Sequence, residues 1–188
     1  MDADQPIFYY DLGSPECYLV AETIMSSLPI VPEWEPVLAG ALPGAPRVVD
    51  APAIELISRR VDELGLQPLR WPEAWPPDAR EAMLAATYAK RVGRAVAFSL
   101  AAFRQAFAGG RDLGRRDNVL IAAAACEMHP TAVLKGIELR SVTDALDRAA
   151  QRADAAGVRS LPAIQVGSLV FEGGRCVQEA AQALGAAA

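Results

Sequence analysis

An α/β fold is predicted, with a β-α-β unit at the start of the chain, a β-β-α unit at its end and a block of helices between them. Three features of the sequence predict it. Residues 7–10, IFYY, are a short aromatic and β-branched run; the middle of the chain is rich in alanine at helical spacing; and from residue 157 onward the short apolar runs return. Period and residue type distinguish the two kinds of segment. A chain of 188 residues with 52% hydrophobic residues can build one domain with a good core, or a small domain carrying an insertion, but not two large domains.

The first strand, IFYY, lies between Pro6 and Asp11. Gly13 breaks it, and Ser14 is placed to cap the helix that follows. Pro15 suits the first helical position, and Glu16 suits the positive end of the helix dipole. Leu19, Val20, Ile24 and Leu28 then recur at helical spacing. A second strand is expected around IVPEWEPVL, where Pro32 and Pro36 restrict it to a sheet edge or interrupt it. AGALPGAPRVVDAP, residues 39–52, reads as a loop from its Gly and Pro content.

Helices are expected over residues 53–65, 78–108, 117–128 and 143–156, with RWPEAWPPDA separating the first two and Gly109-Gly110 and His129-Pro130 as breaks. AIQV and LVFE form two short strands joined at Gly167-Ser168, a hairpin turn, and CVQEAAQALG closes as a helix. The sheet therefore draws on residues 1–40 and 157–188, and residues 41–156 form the helical insertion.

A net charge of −5 and scattered basic residues, apart from Arg59-Arg60 and Arg115-Arg116, leave no electrostatic footprint for nucleic acid or an anionic membrane. No apolar run reaches membrane-spanning length, and MDADQPIF lacks the basic and apolar regions of a secretory signal. A cytoplasmic, reducing setting is expected. Cys17, Cys126 and Cys176 are too far apart for a compact zinc site and odd in number for a disulfide framework, so no metal is expected. His129 reads as a helix-end residue, with a Cys-His catalytic pair as the alternative.

The order β-α-β, helices, β-β-α is the thioredoxin arrangement, whose reactive group sits between the first strand and its helix. Ser14 and Cys17 occupy the two ends of a C-x-x-C spacing there, with one sulfur between them. A helix N-terminus favours a thiolate, and a hydroxyl beside it can donate one more hydrogen bond. With a single sulfur the motif cannot cycle as a dithiol. Opposite it, Pro162 in GVRSLPAIQV stands just before the third strand. It is either a cis peptide that presents the preceding backbone to a ligand, or a proline that merely starts a strand.

The sequence resembles the DsbA-like thioredoxin superfamily, in the branch of 2-hydroxychromene-2-carboxylate isomerases and kappa-class glutathione transferases. The resemblance rests on DLGSPECYL, RWPEAWPPD and GVRSLP, three separated motifs in the right order covering nearly the whole chain. It implies that Ser14 contacts the sulfur of a glutathione cofactor, and that Leu161, before a cis Pro162, pairs with its cysteinyl backbone. Asp78 stands where the branch has an asparagine facing the substrate. Arg175, in FEGGRCV, replaces an aspartate that would hold the γ-glutamyl amine, and Cys17 replaces a common serine.

These implications define an isomerase or transferase acting on a small apolar or aromatic molecule, with a pocket between sheet domain and helical insertion. Tyr10, Cys17, Trp71, Trp75, Asp78 and Met83 are its candidate lining; for the two tryptophans the alternative is helix packing. Two other functions stay open: a monothiol oxidoreductase using Cys17, and a non-catalytic metabolite-binding protein. Cys17 is otherwise an inert, buried small residue. A homodimer, as family members often form, is a further expectation.

Overall fold

The computed structural model describes residues 5–44 and 51–186. The acidic start, residues 1–4, and residues 45–50 of the expected loop lie outside them. Strands β1 (Ile7–Tyr10), β2 (Glu33–Pro36), β3 (Ala163–Val166) and β4 (Leu169–Glu172) form one sheet in the order β2-β1-β3-β4. β1 runs parallel to β2 and antiparallel to β3, and β3 pairs antiparallel with β4. The proline-flanked second strand is thus an edge, which is where a strand lacking some amide donors is tolerated.

Helix α1 (Pro15–Ser27) links β1 to β2, and α8 (Cys176–Ala186) follows β4 through a short 3-10 turn, Gly173–Arg175. Between the two halves of the sheet lie α2 (Ala51–Glu63), α3 (Arg80–Arg91), α4 (Ala95–Phe103), α5 (Arg116–Ala125), α6 (Pro130–Ile137) and α7 (Arg140–Ala155). Among the described residues no strand interrupts this helical block.

Two expected elements divide differently. The helix expected over 78–108 is α3 and α4, separated at Gly93, whose φ of 74° ends α3, and α4 runs on into a π turn at Arg104–Ala108. The expected break at His129-Pro130 is the start of α6: His129 accepts a hydrogen bond from the Thr131 amide, and Pro130 takes the first helical position. His129 is therefore a helix-end residue, in the N-cap position.

One apolar core joins the sheet to the helices. Phe8, Tyr10 and Trp34 pack on one another, with Phe103 of α4 against Tyr10 and Phe107 of the π turn against Phe103. An ionic cluster closes the edge. Glu35 of β2 is 7% exposed and accepts hydrogen bonds from Lys90 of α3 at 2.6 Å and Arg152 of α7 at 3.0 Å. No helix among the described residues is long and apolar enough to cross a membrane, and no group of three or more His, Cys, Asp or Glu is placed to hold a metal.

Candidate functional site

The loop from Asp11 to Ser14 leaves β1 with the amides of Leu12, Gly13 and Ser14 all engaged within the protein. The Leu12 amide donates to Met83 Sδ at 3.2 Å, that of Gly13 to Asp11 Oδ1 at 2.8 Å, and that of Ser14 to the Asp11 carbonyl at 3.0 Å. Asp11 Oδ2 accepts from the Ala39 amide at 2.8 Å, which ties the loop to the chain beyond β2. Burial raises the Asp11 carboxyl, and these two amide bonds oppose the shift. Sequence reasoning quoted Asp11 as the first residue of a motif but gave it no role. Its place two residues before a glycine was the available signal, since an Asx side chain commonly bonds the amide two residues on.

Ser14 caps α1, its Oγ accepting from the Cys17 amide at 3.2 Å. Pro15 has no amide hydrogen, and the Tyr18 amide goes to the Ser14 carbonyl. The first turn of α1 therefore spends its donors largely on itself. The Ser14 hydroxyl is half-buried; besides accepting from the Cys17 amide it lies against the Cys17 thiol as a hydrogen-bond partner. Cys17 is 0% exposed, and burial pushes its thiol well above the ordinary range despite an opposing contribution from Ser14.

The Trp-Pro stretch reaches this loop from the other side. A methyl group at Gly13 would meet Ala79 Cβ at 3.4 Å and Pro77 Cγ at 3.5 Å, so Asp78 lies in the segment packed on the loop. The exposed Asp78 accepts from the Arg80 amide at 3.2 Å and so helps start α3. Trp71 and Trp75 meet edge to face at 5.1 Å, Trp75 meets Phe107 at 5.8 Å, and Phe107 stacks on Tyr18 at 5.6 Å. Both tryptophans are half-buried and are linked through Phe107 to the first turns of α1.

Tyr10 and Met83 are placed elsewhere than at an open wall. Both are fully buried: Tyr10 shares a 2.7 Å hydrogen bond with Ser99, and Met83 holds the Leu12 amide from below. They shape the loop from the core. Neither borders the two cavities described below and in the further inference.

Leu161-Pro162 is a cis peptide bond, and Trp75-Pro76 is a second one, which no feature of its surroundings in the sequence predicts. Ala163 pairs with Tyr9, which sets Pro162 level with the end of β1, where the Ser14 loop begins. The Pro162 carbonyl accepts from the Gly173 amide at 2.8 Å, whereas the Leu161 backbone has no hydrogen bond among the described residues. The preceding turn is held by Glu172, whose carboxylate accepts from the Arg159 amide, the Ser160 amide at 3.0 Å and the Ser160 hydroxyl at 2.9 Å. Burial alone would raise the Glu172 carboxyl, but these bonds outweigh it and hold the group below its usual range. Arg175 is exposed and lies 3.6 Å from Glu179. A shallow cavity of about 640 Å³ bordered by Arg94, Arg104 and Glu127 lies on the helical block and contains none of the residues above.

The DSBA-like thioredoxin domain family matches residues 7–185, and the chain belongs to that family. A structure of 2-hydroxychromene-2-carboxylate isomerase superposes with a TM-score of 0.84 at 15% identity, covering 97% of this chain and 95% of the other. A probable DsbA oxidoreductase from Streptomyces coelicolor gives 0.78 at 15% identity, covering 97% and 89%. The cytosolic disulfide reductase DsbM from Pseudomonas aeruginosa gives 0.65 at 12%, covering 89% and 87%, and has also been solved with GSH. No curated protein matches the sequence. At these identities the likeness establishes the thioredoxin-like fold with its helical block.

Proposed function

We infer that the protein is a DsbA-family enzyme of the isomerase or glutathione-transferase type, which holds a thiol cofactor at Ser14 and acts on a small apolar or aromatic molecule. One observation carries this reading. The partly accessible Ser14 hydroxyl is the end of the motif that a ligand can reach, while the one sulfur of the motif, Cys17, is sealed in the core. Glutathione is the proposed cofactor. The Leu161 backbone, which has no hydrogen bond among the described residues, offers its cysteinyl residue a strand-like partner, and the GSH complex of DsbM is a precedent in the same fold.

The chemistry follows from the donors. A hydrogen bond from Ser14 to a thiolate contributes about 1.5–3 kcal/mol, and a helix terminus adds about 0.3–1 kcal/mol. At about 1.4 kcal/mol per pKa unit, the hydroxyl alone lowers a bound thiol by roughly one to two units. The hydroxyl matters more here than the helix end, because Pro15 and the Ser14 cap remove donors from the first turn. Trp71 and Trp75 offer aromatic surface to an apolar substrate, and Asp78 stands at the edge of that surface.

The test measures glutathione binding and turnover of aromatic substrates by the wild type, Ser14→Ala and Cys17→Ser. Ser14→Ala is expected to raise the pKa of bound thiol and to lose at least about tenfold in turnover, as 1.4 kcal/mol requires. Cys17→Ser should be close to silent. A dead Cys17 variant beside an active Ser14 variant would replace this reading with the monothiol oxidoreductase. Tight binding without turnover would make the protein a metabolite carrier.

A further inference from the structure

A cleft of about 230 Å³ lies between α1, α2 and α8, away from the Ser14 loop. Leu19 and Val20 of α1, Leu64 just after α2, and Val177 and Ala181 of α8 give it apolar walls, with Thr23, Ser27 and Gln178 as polar members of the lining. Arg60 of α2 stands in it, half-buried, with Nη2 donating to the Gly174 carbonyl on the far side. Among the described residues no carboxylate pairs with this guanidinium. Arg94, Arg104, Arg116, Arg152, Arg159 and Arg175 each stand beside a Glu or Asp, and of the described arginines without such a partner Arg60 is the one that lines this cleft.

The charge is also directed inward. Burial pushes the Cys176 thiol up to about 12, and Arg60 is the first of the influences opposing that shift. Cys176 opens α8, so the positive end of that helix adds to the same field. Gly174 gives the guanidinium its room, since a methyl group there would collide with it. A largely apolar slot with a fork-shaped cation at its end, without a carboxylate partner among the described residues, is complementary to a molecule with an apolar tail and a planar anion. Carboxylate on arginine is the two-pronged pairing that this geometry favours. The volume falls below the range of about 300–1,000 Å³ typical of drug-sized ligands, so the tail is short.

We propose that this cleft is a second ligand site, which takes a short-chain aliphatic carboxylic acid with its carboxylate on Arg60 and its tail between α1 and α8. The site is independent of the thiol chemistry assigned to Ser14. The probes are hexanoate and two uncharged or cationic analogues of equal length, hexan-1-ol and hexylamine, titrated into the full chain by NMR. Hexanoate is expected to saturate, to move the methyl signals of Leu19, Val20, Leu64 and Val177, and to bind at least tenfold more tightly than either analogue. Arg60→Gln should remove that preference and leave hexan-1-ol unchanged. Ala181→Trp should block all three, with circular dichroism confirming that each variant is folded. The proposal is overturned by equal affinity for the three probes, by a preference that survives Arg60→Gln, by shifts confined to the Asp11–Ser14 loop, or by no saturable binding of hexanoate.

Discussion

The value of Ser14 lies in which of its two hydrogen-bonding capacities is already spent. Its oxygen accepts the Cys17 amide and the hydroxyl lies against the Cys17 thiol, so a ligand sulfur must draw the proton outward from that partner. Cys17, three residues later on the helix, has turned under the first turn toward the core, as the backward tilt of helical side chains dictates. Burial then keeps it a thiol rather than a thiolate. Iodoacetamide at neutral pH should therefore leave Cys17 unmodified in the folded protein and alkylate it only after denaturation; rapid labelling of the native protein would restore Cys17 as the reactive group. Glu172 makes the second residue-scale prediction. Its folded pKa is depressed, so the stability it gives the Arg159-Ser160 turn is complete above the usual carboxylate range and is lost as pH falls through the lower folded value. Protection of the Arg159 and Ser160 amides, measured as exchange relative to the intrinsic rate at each pH, should fall at acid pH in the wild type, whereas Glu172→Gln should leave both amides weakly protected at every pH.

Elements meet here through small residues and buried charge as much as through large side chains. Gly136 of α6 faces α3, and a methyl group at that position would meet the Tyr88 ring at 2.5 Å. Alanine is normally worth about 1 kcal/mol over glycine inside a helix. Gly136→Ala is nevertheless expected to lower the midpoint of thermal unfolding, because overpacking costs about 1–3 kcal/mol. A raised midpoint would show that α6 can shift away from α3. The Glu35 cluster joins β2 to α3 and α7 by the same logic of tight contact. Glu35→Gln leaves Lys90 and Arg152 without their shared carboxylate. The expected loss is about 1–3 kcal/mol, the range for a buried polar partner removed rather than a fully broken buried ion pair, since Lys90 keeps Glu33 at 2.6 Å and Arg152 is more than half exposed. Urea denaturation measures it directly, and a loss below 1 kcal/mol would mean that water already solvates the cluster.

At the scale of the whole molecule, the sheet and the helical block share one core. Phe103 and Phe107 bring α4 and the π turn against Tyr10 of β1 and Tyr18 of α1, and Phe107 also carries Trp75. Substitutions in this chain of rings should therefore be felt both in stability and at the Trp pair. The core predicts a single cooperative transition, with tryptophan fluorescence and far-ultraviolet circular dichroism changing together. Two separated transitions would show that the helical block unfolds by itself.

The sequence by itself determined the strand and helix types, the position of the serine cap, the edge placement of the proline-flanked strand and the thioredoxin order of elements. These are local properties, set by period, by Pro and Gly, and by residues whose partners lie within one turn. Motif order even placed the cis bond at Pro162, which spacing alone left open. The helix break at Gly93 was missed because alanine-rich pattern continues on both sides, and the site was read as a pocket rim because Met83 and Tyr10 are apolar in either setting. Only the tertiary structure decided that these two are buried supports, that Asp11 and Glu172 fasten the two facing turns, and that Arg60 stands in a cleft with its guanidinium on the Gly174 carbonyl. Each of those facts joins residues far apart in the chain, from Leu12 and Met83 to Arg60 and Gly174. A side chain's chemistry can be read from its own position, but the hydrogen bonds and desolvation that decide its use come from whatever the fold places against it.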